Sequence, residues 1–429
     1  MTEQSVGEQT RKPPSESGSS VGGALIAGAD VSSCSTKTMK VGLVIPDGAM
    51  GGAQRIALEL LSEIPRRDVV VCAPRDSQFG REVLASGHQL RDLSLPKFAD
   101  ERSVFGFLKS YMRAVRTLFE VARKDQVTLL HSFVAFGAKV VAPVALLTRT
   151  PALLSVHEIT TPSSIGSWRS RFHRWVSAIV FIRVTAVSQF AAECLVSMGF
   201  DRDRVTVVHN GVVRGVPSIG KTSCRSALGI PHEALVFAVV GRVERLKGQT
   251  VPTSAFAEFC HANLGVDAHL LIVGGAVQSH GRRYAARIAQ EVDSTGLRER
   301  VHIYGHRDDV ETFYDAADVV LVPSVEADAF PTVVLEAALS GVPAIVSNVG
   351  GAPEALVDGA TGFVVEPTSE CFALAMSKAA DPNWREAAGL AARRHVEKRF
   401  SRKEFVERII EEWCRCTGPG APPECTAGS

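Results

Sequence analysis

The sequence predicts an α/β protein built of two doubly wound domains that face each other across a cleft. Three observations lead there. Short β-branched apolar runs alternate with helical segments from Met39 onward; a stretch rich in Gly, Pro and Ser interrupts them at 212–221; and beyond it the alternation begins afresh. Runs that are apolar without a break belong to parallel strands covered on both faces, and two such series joined at one hinge make two doubly wound layers.

In the first series the strands fall at 40–45, 69–72, 127–131, 152–157, 184–187 and 205–209. In the second they fall at 235–240, 269–273, 301–304, 318–322 and 344–347. Residues 384–398 and 402–413 read as helices, the last returning to brace the first domain. The expected divisions are a disordered leader at 1–38, a first domain at 39–215, a second at 216–395, a returning helix at 396–415 and a loose tail at 416–429. The leader's apolar stretch at 21–29 follows acidic residues and prolines rather than a basic region, which argues against a signal peptide.

Composition narrows the classes. With 429 residues, 45% of them hydrophobic, core size is no limit, and 47 Lys plus Arg against 46 Asp plus Glu create no global field for nucleic acid. Any anion must be bound locally. The nine cysteines are odd in number and scattered, without paired Cys-x-x-Cys clusters, which fits incidental thiols and a cytoplasmic setting. No run of 18 apolar residues occurs, so no membrane span is expected.

The first strand ends at Pro46, and Gly51 and Gly52 stand just before a helix, where backbone amides can approach a phosphate at the positive helix end. A tight strand-to-helix turn without a ligand needs glycine too. The second domain opens in the same way, with Gly241 and Gly248 framing Arg242 and Lys247 at the end of its first strand. Two cations beside a helix start suit a diphosphate, although exposed Lys and Arg are commonly just solvated. Further on, Asp328 precedes a helix that Pro331 opens and Gly341 closes, and Glu336 lies inside it. Two carboxylates so placed reach different parts of one extended ligand, a sugar hydroxyl and a ribose diol, while the amides of Thr332 and Val333 between them face phosphate. The plainer alternative is a structural Glu336 and a solvated Asp328.

Gly241 to Gly248, Asp328 to Glu336, Gly341 to Pro343, and Gly350, Gly351, Pro353, Glu354 and Gly362 together resemble the retaining glycosyltransferases of family 4, of GT-B fold. The resemblance spans roughly Met39 to Trp413. It implies two Rossmann-like domains, a nucleotide-sugar donor site mostly in the second, an acceptor site mostly in the first, no metal or other cofactor, and transfer with retention of configuration. By matched positions, Arg242 and Lys247 would bind the diphosphate, Glu336 the ribose, and Asp328 the transferred sugar. Phe330, Thr332 and Val333 belong to the same donor motif, and Gly51 and Gly52 match the family's glycine loop. His157 matches the histidine of the catalytic cleft, and Ser188 and Asn210 match further motifs, though either suits a helix cap or a turn equally well. Asp328 is a carbon shorter than the usual glutamate and Ala329 stands where proline is common, so the carboxylate would meet the sugar differently.

The function so implied is transfer of a sugar from a UDP- or GDP-sugar to a glycan, lipid-linked or small-molecule acceptor. A nucleotide-sugar epimerase and a non-catalytic sugar-nucleotide-binding partner remain as alternatives. The segment from Trp168 through Arg169, Arg171, Phe172 and Arg174 to Trp175 offers a possible peripheral contact with a membrane, or a solvated helix face.

Overall fold

Near-continuous apolar runs do form parallel strands. The computed structural model describes residues 39–48, 50–95, 104–159, 179–215, 218–276 and 278–418. In chain order the first seven strands are β1 (Val41–Val44), β2 (Val69–Ala73), β3 (Gln89–Asp92), β4 (Leu129–Ser132), β5 (Ala152–Val156), β6 (Arg183–Ala186) and β7 (Val205–Val207). They make one parallel sheet in the order β3-β2-β1-β4-β5-β6-β7. A second parallel sheet, β10-β9-β8-β11-β12-β13, is formed by β8 (Leu235–Val240), β9 (Ala268–Val273), β10 (Val301–Tyr304), β11 (Val319–Val322), β12 (Ala344–Ser347) and β13 (Gly362–Val365). Every residue of β1, β2, β5 and β9 is buried, as sheets covered on both faces require.

In each sheet the strand order reverses beside the first strand, between β1 and β4 and between β8 and β11. The loops leaving those strands diverge there and open a crevice at the carboxyl ends. Both sheets lie within one compact unit.

The last helix, Arg402–Thr417, packs against the first sheet and runs two residues into the stretch assigned to the tail. Ser401 caps it, its hydroxyl accepting from the Glu404 amide at 3.2 Å. Phe405, Val406, Ile409 and Trp413 join Val41, Leu60 and Leu129 in one buried cluster. Where the chain crosses between the sheets, the Val212 amide donates to the Phe400 carbonyl at 3.0 Å, so both crossings lie side by side. Among the described cysteines, Cys72, Cys194, Cys224, Cys260, Cys371 and Cys416 are free, while Cys414 is disulfide-bonded and departs from the expectation of incidental thiols.

Trp413 also fixes a buried histidine. Its indole N–H donates to His131 Nδ1 at 3.1 Å, so Nε2 carries the proton and faces Ser155 Oγ at 2.8 Å. Ser155 Oγ in turn lies 2.6 Å from Thr185 Oγ1, which extends the buried hydrogen-bonded chain to β6. Burial, helped by nearby His157, lowers the His131 pKa from 6.5 to about 3. Below pH 6.5 the unfolded chain takes up a proton here that the folded chain refuses, so stability falls with pH from there toward pH 3. The urea midpoint is therefore expected to drop between about pH 6.5 and pH 5, with a shallower slope in His131→Asn. A midpoint constant over that interval would contradict the neutral, buried assignment.

Candidate active site

The turn after β8 and the loop after β11 are joined by glycine. Gly248 closes the turn Arg245–Lys247 with φ +66°, and a Cβ there would stand 2.1 Å from the Pro323 carbonyl oxygen. With no side chain in the way the loops dock, and the Val325 amide donates to the Leu246 carbonyl at 3.0 Å. Docking brings together two of the expected site residues: the Lys247 ammonium pairs with the Asp328 carboxylate, both half-buried. An ammonium has three donors, so Lys247 can pair with Asp328 and still offer protons to a phosphate. Arg242 is placed differently. It is 65% exposed, with its guanidinium 2.9 Å from Glu244.

The helix after β11 spans Thr332–Leu339, with Pro331 as its N-cap rather than in its first turn. No side chain caps it and no acidic residue occupies its first turn, so the start that Thr332 and Val333 form keeps its positive end uncompensated. One turn on, Glu336 Oε2 accepts from the Tyr314 hydroxyl at 2.6 Å. Burial and the adjacent Glu336 charge push the Tyr314 phenol well above its usual pKa, so it stays a donor and fixes the carboxylate. That leaves Oε1 to accept from a ligand hydroxyl. Phe330 is a correction: its ring is buried against His209, at 5.0 Å between centroids, and Phe400, at 5.5 Å. It packs the loop from beneath instead of offering a side chain to a ligand.

From the first sheet comes the opposite wall. Gly51 is the extended N-cap of the helix Gly52–Glu63, again with no side-chain cap and no acidic residue in the first turn. Gly52, Arg55 and Glu59 line a cavity of about 170 Å³ together with Tyr314, Thr332 and Glu336. The two uncapped helix starts thus share one space. A Cβ built at Gly52 meets no protein atom within 4 Å, so the chain itself does not require glycine there. What a side chain would fill is the cleft.

His157 follows β5 directly, its ring tilted against Phe133 at 4.6 Å between centroids, with its ring nitrogens shielded from solvent. Burial lowers its pKa to about 4, while neighbouring Asn210 pulls it slightly upward. It is a neutral imidazole beside a buried Asn210, not a cation. Ser188 lies deeper than a ligand contact. Its hydroxyl caps the helix Gln189–Ser197 by accepting from the Ala191 amide at 3.0 Å, the capping role that its sequence context allowed.

The same helix start ties the two sheets together. Glu354 accepts from the amides of Gln189 at 2.7 Å and Phe190 at 2.8 Å and lies 3.1 Å from His209 Nε2. Burial would raise its pKa, but these donors outweigh it and hold the carboxyl below the usual range. Gly351 lets this happen, since a Cβ there would stand 2.8 Å from Ser188 Oγ and 2.0 Å from the Ala329 carbonyl.

Sequence reasoning missed Tyr314, the interdomain role of Glu354, and Arg55. A buried tyrosine hydroxyl needs a partner, and that was the available signal for Tyr314. Glu354 and Arg55 gain their meaning only across the domain boundary. The segment Trp168 to Trp175 lies outside the described residues.

The family described as Glycosyl transferases group 1 matches residues 221–395, and Glycosyltransferase Family 4 matches residues 50–214. The D-inositol 3-phosphate glycosyltransferase of Corynebacterium diphtheriae is 35% identical over 180 residues, 40% of each chain. That of Mycolicibacterium gilvum is 34% identical over 240 residues, 54% of this chain and 52% of its own. The chain therefore matches about half or less of the length of these curated relatives. Among solved structures, HepE of Anabaena, in complex with UDP and glucose, superposes with TM-score 0.76 at 21% identity, covering 87% of this chain and 99% of that one. Sucrose-phosphate synthase of Thermosynechococcus elongatus gives 0.69 at 19% identity, covering 88% and 98%. At such identities the likeness is one of fold, and it is the two-layered GT-B architecture that the sequence predicts.

Proposed function

Because the chain belongs to the group 1 and family 4 glycosyltransferases, whose two models together match more than half of it, we propose that it transfers a sugar from a nucleoside diphosphate sugar to an acceptor hydroxyl, with retention. The observation that carries this reading is the Lys247–Asp328 pair, set beside the Glu336 helix and supported by the glycine start across the cleft. In the reaction the bond from the anomeric carbon to the β-phosphate oxygen breaks and the acceptor oxygen bonds that carbon from the same face. The acceptor proton passes to the departing phosphate. Charge grows on the diphosphate as it leaves, and Lys247, Arg242 and two helix starts are the groups that stabilise it. Asp328 holds a sugar hydroxyl, Glu336 the ribose, and neutral His157 serves as a hydrogen-bonding partner near the sugar.

With phosphate charge met by these groups, transfer proceeds without a divalent metal. The relative named with UDP and glucose makes a UDP-sugar the first donor to assay, and the inositol phosphate relatives make a small phosphorylated polyol the first acceptor. The expected result is release of nucleoside diphosphate that depends on acceptor and is unchanged by EDTA. A changed sugar nucleotide without acceptor would indicate epimerisation, and no turnover of any UDP- or GDP-sugar would defeat the reading. Loss of activity in EDTA, restored by magnesium, would overturn metal independence.

A further inference from the structure

The helix Val104–Lys124 buries Ala114, Val115, Leu118, Val121 and Ala122 against the first sheet. Its first turns do not follow suit. Phe105 is 86% exposed, Val104 66%, Met112 54% and Leu108 51%. At 100° per residue these four fall on one arc, with Lys109, Arg113 and Arg116, all exposed, along its edge. Residues 104–116 contain no Asp or Glu. The helix's one acidic residue, Glu120, is held by Arg116 at 3.0 Å and Lys124 at 3.2 Å. Lys109 and Arg113 have no ion-pair partner among the described residues.

We propose that this arc, Val104, Phe105, Leu108 and Met112 with Lys109 and Arg113, is a docking surface for an anionic lipid bilayer. Four large apolar side chains in water are a cost that burial at the acyl boundary removes, and an edge of cations with no Asp or Glu among residues 104–116 favours negative headgroups over a neutral or basic protein face. The near-zero net charge offers no long-range attraction, so the contact is local to this helix. A connection to the cleft exists: the Tyr111 hydroxyl donates to the Lys139 carbonyl at 2.9 Å, and Lys139 lies within electrostatic reach of Glu158, the neighbour of His157. The surface stands on its own geometry and does not depend on the transferase reading.

The test is co-sedimentation of the full chain with vesicles of phosphatidylcholine, alone or with about one-third phosphatidylglycerol. Binding to the anionic vesicles, released by high salt, and little binding to the neutral ones is expected. Lys109→Gln with Arg113→Gln should weaken it roughly thirtyfold, and Phe105→Ser with Leu108→Ser more than tenfold. All four positions are exposed, so melting temperatures should stay at the wild-type value and separate lost docking from lost folding. Equal binding to both vesicle types, or variants that bind as wild type does, would overturn the proposal. So would a dimer in solution that Phe105→Ser with Leu108→Ser dissociates, since the arc would then face a second copy.

Discussion

Lys247→Ala is expected to lower transfer by roughly ten- to a hundredfold. Removing a charge-assisted hydrogen bond costs about 1.5 to 3 kcal/mol, and here the loss falls on a group that pairs with Asp328 and that we propose also serves the departing diphosphate. The Asp328 carboxylate is left half-buried without its cation, which disturbs the sugar position as well as the phosphate. Nucleoside diphosphate affinity should fall along with the rate. Asp328→Asn separates the two roles, sparing the free nucleotide while lowering turnover of its sugar conjugate. Arg242→Ala should do less than Lys247→Ala, because the Arg242 guanidinium is largely solvated. Steady-state rates and calorimetric affinities of the folded variants check the order. Lys247→Ala with wild-type rate and affinity would show that the pair is only structural.

Gly248→Val is expected to destabilise the fold by roughly 2 to 4 kcal/mol, through positive φ and the carbonyl that its side chain would strike. It also separates the loops that bring Lys247 to Asp328, so activity falls with stability. Gly52→Ala is the informative contrast. Nothing in the chain meets its methyl group, and alanine is the better helix former, so stability should hold or rise slightly while donor affinity drops. Urea unfolding and nucleotide titration of both variants read the two effects separately. Equal stability in Gly248→Val and wild type would mean that the loop docking carries no weight.

How far the sequence reveals this molecule depends on the kind of signal each part leaves. Central strands are buried on both faces and print uninterrupted apolar runs, and those runs mark the interiors of both sheets. Edge strands β3 and β13 escaped: Gln89–Asp92 alternates polar residues on a half-exposed edge, and Gly362–Val365 is short, opens on glycine and looks like part of a loop motif. Around the candidate site, the turn and helix that carry Gly241 to Gly248 and Asp328 to Glu336 were legible from spacing along the chain. Side-chain direction was not. Phe330 sits between Asp328 and Thr332 in sequence yet points into the core, and Ser188 spends its hydroxyl on its own helix. Nor does spacing within one domain disclose that Glu354 closes a helix in the other, because that contact joins residues 165 positions apart.

The central claim is that the cavity between Gly52 and Glu336 holds a nucleoside diphosphate by its ribose and phosphates. Calorimetric titration of UDP and GDP into wild type and Glu336→Gln tests it most directly. The substitution keeps the side chain's shape and its bond from Tyr314 while removing the charge that strengthens a hydroxyl hydrogen bond, a difference of about 1 to 2 kcal/mol. One of the two nucleotides should bind wild type and lose roughly five- to thirtyfold in affinity in Glu336→Gln, with unchanged melting temperature. Binding of equal strength in both proteins, or no binding of either nucleotide to wild type, would contradict the assignment of this cleft.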